Sequence, residues 1–155
     1  MSRCAIYGIG NILLGDDGVG PAVVRYLTEN FAFRSDVTIE DLGTPSLDLP
    51  GYLTGHDSVI FIDSVAVDDA PGTIHRFSKK DIVGAAPGIH MSSHELSIND
   101  ALIVLDFAGT APSDVTLIGI VPHTLDGGMN LSPAVAAAVP LAAEAVFTEL
   151  ARRTA

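Results

Sequence analysis

Cysteine occurs once in this 155-residue chain, at Cys4, and lysine only twice, at Lys79 and Lys80. One thiol can neither close a disulfide within the chain nor build a cysteine-based zinc site, so a reducing, cytoplasmic compartment is expected. Set in the apolar stretch 4–10, Cys4 is expected to be a buried small hydrophobe. The shortage of basic residues against 19 acids leaves a net charge of −11. That charge removes the electrostatic footprint on which nucleic-acid binding rests and disfavours anionic membrane surfaces. A cation or a basic polypeptide suits such a surface better. No apolar run is read as approaching the roughly 18 residues of a membrane span, and the opening stretch is too short and too rich in glycine for a signal peptide. Repeats, low-complexity tracts and charged tails are also missing. Residues 1–155 are therefore expected to form a single domain that buries roughly two thirds of its unfolded surface.

What is present is an alternation of strand and helix patterns. Residues 3–10 read as a buried strand, 36–43 as a second strand, 58–63 as a third that is covered on both faces, 114–121 as the last strong strand, and 72–78 as a weaker edge strand or half of a hairpin. Helices are expected over 20–31, with Val19, Val23, Leu27 and Phe31 on one face, and over 132–153, with Ser132 as N-cap, Pro133 in the first position, Val135, Val139, Ala142, Val146 and Leu150 as an apolar stripe and a kink at Pro140. A third helix is expected to open near Ser93, with Ser92 and Glu95 in capping-box spacing and Leu96, Ile103 and Phe107 on a common face. Alternation of this kind implies an α/β fold: three layers, a mostly parallel, twisted sheet of about five strands, and helices on both faces. Such sheets bind ligands in the crevice at the carboxyl ends of their strands.

Three polar residues, far apart in sequence, are expected on that edge. Asp17 lies in the loop after the first strand, Asp63 ends the third, and His94 falls in the first turn of the third helix. Two carboxylates about 4 Å apart repel by roughly 4 kcal/mol at an effective dielectric of about 20, and the flanking loops hold no lysine or arginine. A metal cation with two carboxylates and one imidazole as ligands offsets that repulsion, and the helix N-terminus favours neutral, coordinating His94. Three protein ligands leave open positions, as in catalytic sites. For each residue alone a structural role is at least as plausible as a ligand role, and the joint placement shifts the balance. Asp16 is read as a helix cap, and Asn11 and Asp41 as turn formers on spacing alone. His56, His75, His90 and His123 are scattered. No H-E-x-x-H and no G-x-S-x-G occurs, and Cys4 is too early and too apolar to be a nucleophile.

The loop "GIGNILLGDDGVG" resembles the opening signature of the endopeptidases that mature nickel-iron hydrogenases, G-x-G-N-x-x-x-x-D-[DE]-G-x-G. Four further segments resemble the same family in order: "DLGT", "VIFIDSV", "SSHELSI", and "LIGIVPHTL" with "LSPAV". The resemblance implies that Asp17, Asp63 and His94 contact metal, with Asp17 one methylene shorter than the Glu found in part of the family. It links Asp41 to substrate recognition or cleavage, as a water-orienting or substrate-positioning carboxylate. It implies a metal-dependent peptidase without a Ser or Cys triad, acting as a monomer. Such a peptidase removes the C-terminal extension of the hydrogenase large-subunit precursor after nickel insertion. Nickel is then presented by the substrate, with zinc or cadmium able to take its place on the isolated protein. Polarising the carbonyl, activating water and anchoring the substrate are all roles open to that metal. The segment "TPSLDLPGYL" departs from the family and leaves the choice of hydrogenase open.

Three other readings stand beside this one. A nickel-binding maturation chaperone would use the same three ligands without hydrolysis. A receiver-type, magnesium-binding phosphoacceptor domain also pairs acids after strand one with an Asp after strand three, but needs a lysine after its last strand, where this chain has Pro122 and His123. A dinucleotide-binding domain would need a third glycine where Leu13 stands, and its pyrophosphate would face acids.

Overall fold

Apolar and β-branched residues make the central strands, glycine stands at the ends of the first two strands in the chain, and Pro122 follows the last. β1 (Cys4–Ile9), β2 (Val37–Gly43), β3 (Ser58–Ser64), β4 (Ile74–Ser78) and β5 (Asp114–Ile120) form one sheet in the spatial order β2-β1-β3-β5-β4. This is a computed structural model, and it describes residues 3–84 and 97–154. β1, β2, β3 and β5 are parallel, and β4 closes the edge antiparallel to β5. The strand read as weak is thus the half-buried edge. This order, with its antiparallel edge, differs from the 2-1-3-4-5 sheet of receiver domains and removes that reading.

Alternate side chains of the central strands feed two cores. On one face Ile6, Ile60, Ile62, Ile118 and Ile120 pack under α1 (Val19–Asn30) and α5 (Pro133–Thr154). On the other, Tyr7, Val59, Phe61 and Leu117 pack under α2 (Leu49–Leu53), α3 (Lys79–Val83) and α4 (Ile98–Ala108). The three-layer α/β/α expectation holds. The short α2 and α3 escaped the sequence reading, because helices of one turn carry too few residues to show a period.

Two expectations are corrected. The helix expected from Ser93 begins at Ile98, where Ser97 and Asp100 form the capping box; Ser92, Glu95 and Leu96 lie outside the described residues. Its buried face is Ile98, Ala101, Leu102 and Leu105, while Ile103 and Phe107 are exposed, so the apolar pattern pointed to the wrong side. The other correction concerns α5, whose residues Pro133–Arg153 are long and apolar enough by length and composition to cross a membrane. In the fold it is a core helix: Val135, Val139, Ala142 and Val146 of the expected stripe are buried against β-strands and α1, Leu150 is partly buried at their side, and the helix continues through Pro140.

The first turn of α1 presses on the sheet where β1 and β3 end. A Cβ on Gly20 would lie 2.4 Å from the carbonyl oxygens of both Ile9 and Ile62, and one on Gly8 would lie 2.6 Å from the Gly20 oxygen. Glycine at both positions lets helix and strands meet. Gly20→Ala is expected to lower stability by about 1–3 kcal/mol, because backbone must move to admit the methyl group. Urea denaturation of the variant beside the parent measures it.

Candidate active site

The strand order reverses direction between β1 and β3, which places a crevice at their carboxyl ends. β1 delivers the loop 10–14 and a single 3-10 turn, Gly15–Gly18, while β3 delivers Asp63 and Ser64. Asp16, Asp17 and Asp63 are all buried, at 0%, 2% and 0% exposure. Carboxylates are almost never buried to this degree unless partners hold them, so each partner is informative.

Asp17 Oδ2 accepts the Asn11 N–H at 2.8 Å, and its Oδ1 accepts the Ser64 hydroxyl at 3.1 Å. The backbone N–H of that same Ser64 donates to Asp63 Oδ1 at 2.7 Å. Ser64 therefore bridges two acids 46 positions apart in sequence, and the expected meeting of Asp17 with Asp63 is present. Ser64 itself was missed. Its one sequence signal is its place directly after the strand-end acid.

His94 lies outside the described residues. The N-terminus of α4 is capped by Ser97 and Asp100. Among the described residues no group of three His, Cys, Asp or Glu side chains is gathered closely enough to hold a metal ion. Asp17 and Asp63 contribute two carboxylates beside Ser64.

Asp41 stands apart from this pair. It is exposed near the end of β2, its Oδ1 accepting the Gly43 N–H at 2.8 Å, the turn-forming role that spacing suggested. It also edges a groove of about 880 Å³ that Ile12, Gly18, Pro21, Tyr26 and Met129 help to line. The groove thus meets the outer side of the loop that carries Asp17. Asn11 likewise forms a turn, its Oδ1 accepting from the Leu13 N–H at 2.9 Å.

Asp16 does not cap α1, whose N-cap makes no side-chain hydrogen bond. Its carboxylate turns instead to the loop between β5 and α5. Oδ2 accepts the N–H groups of His123 (2.8 Å) and Thr124 (3.1 Å) and the Ser132 hydroxyl (2.8 Å), and Oδ1 accepts the Ser132 N–H at 2.7 Å. Burial pushes this carboxyl up, but the bonds from Ser132, Thr124 and His123 together outweigh it and hold its pKa below the ordinary value. No sequence pattern could pair residues 116 positions apart. Cys4 is at the amino end of β1, opposite this crevice, where burial pushes its thiol up.

The hydrogenase maturation protease family matches residues 21–149 of this sequence. The chain belongs to that family. Hydrogenase 2 maturation protease of Escherichia coli is 32% identical over 149 residues, covering 96% of this chain and 90% of the relative. The hydrogenase expression/formation protein HupD of Rhodobacter capsulatus is 35% identical, covering 93% and 70%. Among solved structures, the hydrogenase maturating endopeptidase HybD from E. coli superposes with a TM-score of 0.89 at 31% identity, covering 97% of this chain and 93% of that one. As a member of the hydrogenase maturation protease family, the chain has a processing endopeptidase's role.

Proposed function

We propose that this chain removes the C-terminal extension of a nickel-iron hydrogenase large-subunit precursor, and does so after nickel has been inserted. Asp17, Asp63 and His94 engage the nickel that the precursor carries and so place the scissile bond. The observation that carries the reading is the joining of two buried carboxylates through Ser64 at the switch point of the sheet. Carboxylate oxygens with an imidazole nitrogen suit a divalent nickel ion already held in part by another molecule. The names of the relatives agree: a hydrogenase 2 maturation protease and a hydrogenase maturating endopeptidase.

The residues divide the work. Asp17 and Asp63 bring negative charge to the crevice, and Ser64 fixes both carboxylates in one orientation. Asp41, at the edge of the groove, is positioned to contact the polypeptide on the surface side of the same loop. Bound metal supplies Lewis acidity to a water or a carbonyl. Incubating the protein with nickel-loaded and nickel-free precursor tests the reading directly, with the shortened large subunit resolved by mass. Cleavage of the loaded form alone is expected. Equal cleavage of both forms would remove nickel as the recognition element, and tight binding without cleavage would make the protein a chaperone.

A further inference from the structure

The loop 10–14 and the turn after it are fastened to the loop between β5 and α5 by more than the site itself requires. Gly15 N–H donates to Gly128 O at 2.9 Å, Gly128 N–H to Leu13 O at 3.0 Å, and Asp16 N–H to Thr124 O at 3.0 Å. Onto these the Asp16 carboxylate adds its bonds from His123, Thr124 and Ser132, using both oxygens solely as acceptors. Gly15 adopts φ +56°, and a Cβ there would lie 2.8 Å from the Asp126 oxygen, so the two loops are in backbone contact. Asp17 is the next residue along, on the same short turn, facing Asn11 and Ser64.

We propose that Asp16 is a positioning residue for the cleavage reaction: by clamping the β5–α5 loop onto the turn Gly15–Gly18 it sets where the Asp17 carboxylate stands relative to Asp63. The inference rests on the proteolytic reading above. Three consequences of the geometry support it. All of the donors reach Asp16 from one loop, so its charge anchors that loop rather than α1. A charged acceptor binds N–H and O–H donors about twice as strongly as a neutral one, which suits a clamp that must not drift during catalysis. The turn is short, so a release at Asp16 is passed to Asp17 without a flexible residue between them.

Asp16→Asn tests the clamp, because an amide has one acceptor oxygen and would point N–H groups at the donors of the other position. Steady-state kinetics on nickel-loaded precursor, at a temperature where circular dichroism shows the variant folded, are expected to give a kcat at least about tenfold lower. KM should change much less. The amide resonances of Asn11 and Ser64, which report the position of Asp17, are expected to shift well beyond those of Val59 and Ile60 in mid-β3. Ser132→Ala removes one donor, keeps the fold, and is expected to lower kcat about two- to fivefold, a smaller step in the same direction.

A purely structural Asp16 would lower the melting temperature of both variants, leaving kcat per folded molecule and the Asn11 and Ser64 resonances as in the parent. That result overturns the proposal. Should the parent protein itself leave loaded precursor uncut, the proteolytic reading fails, and the two resonances still decide whether Asp16 sets Asp17.

Discussion

Asp63→Asn is expected to abolish processing of nickel-loaded precursor while leaving the fold intact. The amide oxygen can still accept the Ser64 N–H that Asp63 Oδ1 receives at 2.7 Å, so β3 keeps its end geometry. What is lost is the negative charge of one of the two carboxylates beside Ser64 that the proposed function assigns to the substrate's nickel. Disturbing a group that only hydrogen-bonds to a metal ligand costs roughly 10–100-fold, so loss of the ligand itself should cost at least about a hundredfold in kcat/KM. Far-UV circular dichroism and a thermal melt establish that the variant is folded, and the mass shift of the large subunit reads the activity. Processing at the parent rate would remove Asp63 from the reaction. His94→Ala should behave in the same way, since the imidazole is assigned the third ligand position.

Glu149→Ala is expected to destabilise the fold by about 3 kcal/mol, because the buried Arg153 loses its partner, while the half-exposed Arg76 and Arg152 can turn to water. Glu149 is 4% exposed on α5 and faces the amino half of β5. Arg76 grips it with two bonds of 2.8 and 2.9 Å, Thr116 donates at 2.9 Å, and Arg153 and Arg152 add bonds of 3.1 and 3.2 Å. Arg153 is itself buried and turns its other nitrogen to Asp114 and Thr116. The melting temperature should fall by roughly 10 °C in a chain of this length. Because this cluster grips the amino half of β5, away from the Asp17–Asp63 crevice, cleavage per folded molecule should stay at the parent level.

The same cluster sets a pH dependence. The Arg76 guanidinium above all, with Thr116 and Arg153 against the opposing effect of burial, holds the Glu149 carboxyl at about 2 rather than 4.5. A depressed acid stabilises the fold above its unfolded pKa and loses that contribution as pH falls through the folded value. About 3 kcal/mol should therefore be present at neutral pH and disappear between about pH 4.5 and 2. Urea titrations of parent and Glu149→Gln across that range measure it: the gap between the two should close as the pH falls.

Much of the architecture was legible in the sequence because its three central strands, β1, β3 and β5, are buried and read as apolar runs. β1, β3 and β5 were placed within a residue or two, and the stripe on α5 was right because 22 residues hold enough turns to show a period. α4 shows the limit. Its eleven residues are apolar on nearly every side, so Ile103 and Phe107 looked as fit for the core as Ala101 and Leu102. The sheet decided between them, since only one side of that helix meets Phe61 and Leu117. The apparent membrane-spanning character of α5 was missed because Glu144 and Glu149 interrupt its apolar letters; its burial in the core answers to packing against α1, not to composition.

By itself the sequence determined that this is an α/β protein with acids at the carboxyl ends of its first and third strands, because period and strand-end position are local properties. The tertiary structure alone decided that Asp17 and Asp63 share Ser64 and that Asp16 serves Ser132 rather than a helix. Those partners are 47 and 116 positions away along the chain. Hydrogen bonds of that reach exist only after the sheet has closed, since no short-range pattern of residue types encodes which distant donor a buried carboxylate will meet.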